Sequence, residues 1–200
     1  LDHLRRKGGW PIPTDARALL LIELDGRAEV VEQQLLEAAS ACEAWGATDI
    51  LVATDEARRR QMWEMRRSVS PILRELHLHK VSEDVAVPRA HIPEMVRRLD
   101  ALAARYGITV ASYGHAGDGN LHVNILWDDE ERGEHVPALV EELFRETLKL
   151  GGTLSGEHGI GLSKRPYIHL EQPPELLALQ KELKRTFDPE NLMNPGKIFP

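Results

Sequence analysis

His115 and His122 flank the short run Gly117-Asp118-Gly119-Asn120, and a second glycine-rich stretch, Ser155–Gly161, carries the adjacent pair Glu157-His158. Two neutral imidazoles and one carboxylate suit Zn²⁺, Mn²⁺ or Fe²⁺ and leave coordination positions open for a substrate. Glu157 is the natural carboxylate of such a set, which leaves His158 beside it to move protons. Each constellation alone also admits a reading without chemistry. Strand histidines are often just hydrogen-bonded, and a glycine-rich loop can be flexible or form a nest for an anion. Taken together, the two stretches favour the metal set.

Gly-Asp-Gly-Asn between two strand-like runs, Ile108–Tyr113 and Leu121–Trp127, predicts a hairpin. Such a turn brings His115, at the end of one strand, close to His122, near the start of the next. On the second strand His122 and Asn124 share one face, while Leu121, Val123 and Ile125 point to the other. One face is therefore polar and the other belongs to a core.

The remaining elements follow from apolar spacing. Ala18–Leu24 and Ile50–Ala53 read as strands, the first apolar enough to be buried on both faces. Arg27–Trp45 reads as a helix with Cys42 on its apolar stripe as core packing. Thr54 is placed to cap the next helix, which carries Met62, Trp63 and Met65 and stops at about Ser70-Pro71. Val85–Val87 reads as a strand, and His91–Tyr106, Pro137–Leu150 and Pro174–Phe187 as helices. Asp188–Pro200 is expected to be ordered coil. Because a hairpin is antiparallel, the order points to an α+β fold, an antiparallel sheet packed with helices, plus a C-terminal helix and coil tail. No strand–glycine-loop–helix fingerprint for a dinucleotide is present.

Composition narrows the function. A formal charge of -7, with most arginine pairs interleaved with acids, argues against a nucleic-acid surface. The single cysteine excludes an internal disulfide and fits a reducing compartment. No apolar run approaches a membrane span and no signal peptide opens the sequence, so the expectation is a cytoplasmic protein. Leu1–Thr14, with Gly8-Gly9 and Pro11-Ile12-Pro13, reads as a linker in front of a domain over 15–200. His77 and His79 alternate as if on one strand face, and Gly159-Ile160-Gly161 lacks the preceding strand that a phosphate loop needs.

Three motifs in order carry a resemblance that covers essentially the whole sequence. They are His115-Ala116-Gly117-Asp118-Gly119-Asn120-Leu121-His122, Gly156-Glu157-His158-Gly159-Ile160-Gly161, and the closing run Phe187-Asp188-Pro189-Glu190-Asn191-Leu192-Met193-Asn194-Pro195-Gly196-Lys197-Ile198-Phe199. They resemble the C-terminal domain of FAD-linked 2-hydroxy-acid oxidases of the vanillyl-alcohol oxidase superfamily. That family includes the glycolate oxidase catalytic subunit and the D-lactate and D-2-hydroxyglutarate dehydrogenases. The resemblance implies a ferredoxin-like cap domain. It implies His115, His122 and Glu157 as metal ligands, and His158 as the base that takes the substrate hydroxyl proton. Asn124 matches a position that touches substrate. Trp63-Glu64-Met65-Arg66 resembles the family's Trp-x-x-Arg, whose arginine holds the substrate carboxylate, and Ser70 matches a neighbouring contact. Lys80 is out of register with the lysine some relatives use and takes no role.

In that family most FAD contacts come from a separate N-terminal domain, which this sequence does not contain. The resemblance therefore implies a partner, an FAD-binding domain in cis or on another chain, with the linker-like start favouring a fragment of a longer enzyme. The substrate implied is a small 2-hydroxy acid, and the cofactors are FAD and a divalent metal. Asn194 and Lys197 are expected to face the flavin partner, and a homo-oligomer is compatible. A metal-dependent hydrolase using the same His115, His122 and Glu157, and a non-catalytic cap with structural histidines, are the alternative classes.

Overall fold

The computed structural model describes residue 1, residues 4–6 and residues 12–199. Much of the expected linker, at residues 2–3 and 7–11, lies outside the described residues. The chain forms two compact units, Leu1–Leu76 and His77–Pro200.

The first unit contains helix α1 (Ala28–Ala44) and helix α2 (Glu56–Leu76). The cap of α2 is Asp55 rather than Thr54: the Asp55 carboxylate accepts the Arg58 N–H at 2.8 Å. The helix also runs through Pro71 instead of stopping there. Proline removes one helical hydrogen bond, but Met65 and Ile72 are buried on this helix, and that burial favours continuation. Ala18–Leu24 and Ile50–Ala53 are not strands. An apolar run fixes neither a ladder partner nor its register, and among the described residues no ladder reaches either segment. Leu20 is 63% exposed, and both runs line an apolar cleft with Met62 and Met65. Cys42 is half-buried on a helix without a buried residue, so it packs no core.

The second unit is built on a three-stranded antiparallel sheet in the order β1-β3-β2, made of β1 (His79–Ala86), β2 (Thr109–His115) and β3 (Asn120–Trp127). Helix α3 (Ile92–Tyr106) joins β1 to β2, and α4 (Glu130–Lys149) follows β3. This order and pairing are those of a ferredoxin-like fold up to its fourth strand. Beside β1, where that strand would run, the chain makes a single antiparallel bridge, Thr153 to Ala86, and then leaves as an irregular loop. A 3₁₀ segment, Arg165–Leu170, and helix α5 (Pro174–Phe187) complete the unit.

β1 starts well before the expected Val85, because all eight of its residues find partners on β3. α4 likewise starts before Pro137, since Asp129 caps it by accepting the Arg132 N–H at 2.8 Å. The hairpin closes at Gly119, whose φ of +80° is left-handed; a Cβ there would sit 1.9 Å from the Val87 carbonyl oxygen.

One face of the sheet is apolar. Leu121, Val123 and Ile125 pack with Met95, Leu99 and Leu102 of α3 and with Leu139, Val140, Leu143 and Phe144 of α4. Phe144 is fully buried and meets the Tyr167 ring edge-on at 5.1 Å between centroids. Phe144→Ala is expected to cost about 3–5 kcal/mol in chemical denaturation, the usual penalty for emptying an aromatic core position.

Candidate active site

The opposite face of the sheet is polar by register. Asn120, His122 and Asn124 of β3 lie across from Ala86, Asp84 and Ser82 of β1, and from His115, Tyr113 and Ala111 of β2. Period-two alternation puts all three β3 side chains on one side and the core residues on the other. This is the face the sequence assigned to a site, with Asp84 added to it from the neighbouring strand.

The hairpin brings the two histidines together, their rings edge-on at 5.9 Å between centroids. The loop after Thr153 then carries Glu157 and His158 over β3. His122 Nε2 lies 3.2 Å from Glu157 Oε1, and the His158 ring stacks on His122 at 5.4 Å. One nitrogen from each of His115 and His122 and one Glu157 oxygen lie within 4.8 Å of one another, close enough to converge on one ion. His158 Nε2 is 3.8 Å from the same Glu157 oxygen, so the fourth expected side chain borders the cluster.

Electrostatics suit that donor set. Burial pushes the His122 imidazole below the ordinary histidine value, against the opposing pull of the Glu157 and Asp84 carboxylates. It is therefore neutral at neutral pH, the form in which a histidine ligates a metal. A second triplet, Asp84, His122 and His158, is equally close-set. Its carboxylate, however, is already committed. Asp84 accepts N–H bonds from Glu157 and His158, each at 2.9 Å, and from the Asn120 side-chain amide at 2.7 Å. Burial would raise its pKa, but these donors, with the Lys164 ammonium, outweigh burial and hold it well below the usual carboxylate range. His115, His122 and Glu157 are the better fit for an ion.

Asn124 is fully buried in the same face. Its amide donates to the Ala111 and His122 carbonyls at 3.1 Å each, and its Oδ1 has no partner among the described residues. A buried acceptor without a partner is the exception in folded proteins. Arg66 and Ser70 belong to α2 of the first unit, where both are half-buried. Trp63, of the same motif, donates its indole N–H to Glu23 at 2.8 Å. His77 pairs with Asp128 at 2.8 Å and His79 stacks on Trp127; neither joins a cluster of possible metal ligands among the described residues.

Three supporting residues were not read from the sequence: Asp84, Asn120 and Lys164. The available signal was the acidic pair Glu83-Asp84 directly before the apolar run Val85–Val87, both members of which are buried. Glu83 points to the core side, and burial raises its pKa, with Lys164 pulling the other way. Gly156 is also dictated by this packing. A Cβ there would lie 2.1 Å from the Asn120 amide nitrogen and 2.9 Å from Asp84 Oδ1. Gly156→Ala is expected to lower stability by about 1–3 kcal/mol, the range for overpacking a filled site, and a thermal melt would read it.

Residues 1–198 match the family described as FAD linked oxidases, C-terminal domain. The chain belongs to that family. It is 39% identical over 190 residues to the glycolate oxidase subunit GlcD of Bacillus subtilis, covering 94% of this chain and 40% of that relative. A D-lactate dehydrogenase of Anaerostipes hadrus is 35% identical over 190 residues, 92% of this chain and 40% of the relative. A D-2-hydroxyglutarate dehydrogenase of Stutzerimonas stutzeri is 30% identical over 196 residues, 94% of this chain and 42% of the relative. This FAD-linked oxidase C-terminal domain thus spans well under half the length of these relatives. No helix among its described residues is long and apolar enough to cross a membrane.

Proposed function

We propose that this chain is the substrate- and metal-binding part of a flavin-dependent enzyme that oxidises a small 2-hydroxy acid of the glycolate or D-lactate type to the 2-oxo acid. The observation that carries this reading is the convergence of His115, His122 and Glu157, with His158 alongside, in a chain of the FAD-linked oxidase family. The names of the relatives supply the substrate class.

His115, His122 and Glu157 would hold the divalent ion, Zn²⁺, Mn²⁺ or Fe²⁺, and FAD would be held mainly by a partner domain, in cis or on another chain. When bound, the ion supplies Lewis acidity at the substrate hydroxyl, and the flavin supplies an acceptor for the α-hydrogen with its electron pair. This chain's own residues do the rest. His158 takes the hydroxyl proton, which turns the C–OH into a C=O as the α-hydrogen leaves. Its position against the ligand cluster, with a half-exposed side chain, suits a group that must return that proton to solvent. Asn124 offers its unpaired Oδ1 to the substrate. Arg66, on the resemblance alone, takes the carboxylate through a two-point, charge-assisted contact, with Ser70 as a neighbouring contact.

The test is anaerobic mixing of the full-length protein with glycolate or D-lactate. The flavin absorbance is expected to bleach, to stop bleaching after metal is stripped with a chelator, and to recover when Mn²⁺ or Zn²⁺ is restored. Cleavage of esters or phosphoesters without bleaching would overturn the oxidase reading.

A further inference from the structure

The loop that carries Glu157 and His158 has almost no secondary structure to hold it. It follows the single Thr153–Ala86 bridge and contains three of the chain's glycines. Its entry is clamped by Glu171, which accepts the Thr153 hydroxyl at 2.8 Å and the Leu154 N–H at 2.9 Å. Beyond that point, one residue of β1 gathers the backbone. Gly156 N–H reaches the Asp84 carbonyl at 3.4 Å, and the N–H groups of Glu157 and His158 both converge on Asp84 Oδ2. Ser155 Oγ approaches the same oxygen at 3.4 Å. Lys164, nearly fully buried at the far end of the loop, donates its ammonium to the Asp84 carbonyl and lies 3.5 Å from Oδ2. Asp84 Oδ1 takes the Asn120 amide, which ties the same carboxylate to the start of β3.

We propose that Asp84 is the positioning residue of the site: its carboxylate fixes the backbone of Glu157 and His158 so that the two side chains reach His122 together. The proposal rests on the site reading above. Asp84 has no exposed surface and pairs in register with His122, so it cannot move away from the metal cluster without breaking the β1–β3 ladder. N–H bonds to a charged acceptor are about twice as strong as neutral ones, and two adjacent N–H groups on one oxygen fix the peptide between them. With Asp84 gone, the glycines on either side let Glu157 and His158 swing independently of the sheet. Lys164 would then lose its nearest counter-charge, while Asn120 would lose the acceptor of its amide. Groups that orient metal ligands from behind typically contribute about 10–100-fold to metal affinity.

The test compares Asp84→Asn and Asp84→Ala with wild type in the full-length protein. Hydrogen exchange is followed in peptides covering 155–161 and 120–127, and Co²⁺ affinity by competition with a chelator. Asp84→Asn keeps an oxygen for the two N–H groups but loses the charge; it is expected to weaken Co²⁺ about tenfold and speed exchange modestly in 155–161 only. Asp84→Ala is expected to weaken Co²⁺ about a hundredfold and to remove the protection of the Glu157 and His158 amides in 155–161, while 120–127 stays protected. Equal loss of protection in both peptides would reduce Asp84 to a structural residue and overturn the proposal, as would Co²⁺ affinity within twofold of wild type in both variants. Should wild type itself bind no Co²⁺ while 155–161 alone loses protection in the variants, the metal reading fails and the anchoring of the loop by Asp84 stands.

Discussion

Replacing His122 by alanine is expected to abolish tight binding of a divalent ion, a loss of about 100-fold or more in affinity, since removing a ligand exceeds the 10–100-fold cost of removing a group behind one. His122 is central to the arrangement. It lies 3.2 Å from Glu157, edge-on to His115 and stacked on His158, and its side chain is only 11% exposed, against 51% for Glu157. Metal content of the full-length protein after dialysis checks the prediction directly. The same residue sets the sign of the pH dependence. Because burial depresses its pKa, the folded protein resists a proton that the unfolded chain accepts near the ordinary histidine value. Stability from this group is therefore unaffected above that value and falls as pH drops below it. Metal affinity should decline on acidification as protons compete for the imidazole. An affinity that rises on acidification would contradict the assignment.

His158→Ala is expected to lower kcat for 2-hydroxy-acid oxidation by about 10²–10⁴-fold, the range for loss of a positioned base. The Michaelis constant should change by only a few-fold, because His158 is not among the three converging ligands and the substrate contacts assigned to Arg66 and Asn124 are untouched. Metal content should stay at the wild-type level, which separates this variant from His122→Ala. Steady-state assays with a dye acceptor across pH check both parts. A kcat within threefold of wild type at unchanged metal content would place the base elsewhere in the site.

The parts of the fold legible in the sequence were those fixed by local chemistry. Gly117-Asp118-Gly119-Asn120 announces its turn, and alternation from Leu121 to Trp127 separates the core face from the polar one before any partner strand is known. The helices expected over His91–Tyr106 and Pro137–Leu150 were legible from their apolar spacing. What depends on a distant partner was not legible. Ala18–Leu24 has the composition of a buried strand, yet composition names no neighbour, and the segment joins no ladder. Thr54 lost its capping role to Asp55, a choice between adjacent candidates that turn geometry makes and sequence does not.

The site divides along the same line. His115 and His122 are legible because one turn joins them. Glu157 and His158 were legible by residue type, as the carboxylate and the spare imidazole of a metal set, but not by position, since no periodicity reports that a loop after α4 returns to β3. Asp84 escaped because its role is held through backbone N–H groups of residues 73 and 74 positions away, which leave no mark on side-chain pattern. Its neighbour in space, Lys164, is a lone lysine in a polar loop by sequence and a nearly fully buried cation in the fold.

The convergence of three ligands on one ion is best tested by anomalous diffraction from crystals of the full-length protein grown with Mn²⁺ or Zn²⁺. A single strong peak within bonding distance of His115, His122 and Glu157, and not of the Asp84 carboxylate, is the predicted result. A peak coordinated by Asp84 and His158 instead, or an ordered site with no peak at saturating metal, would contradict it.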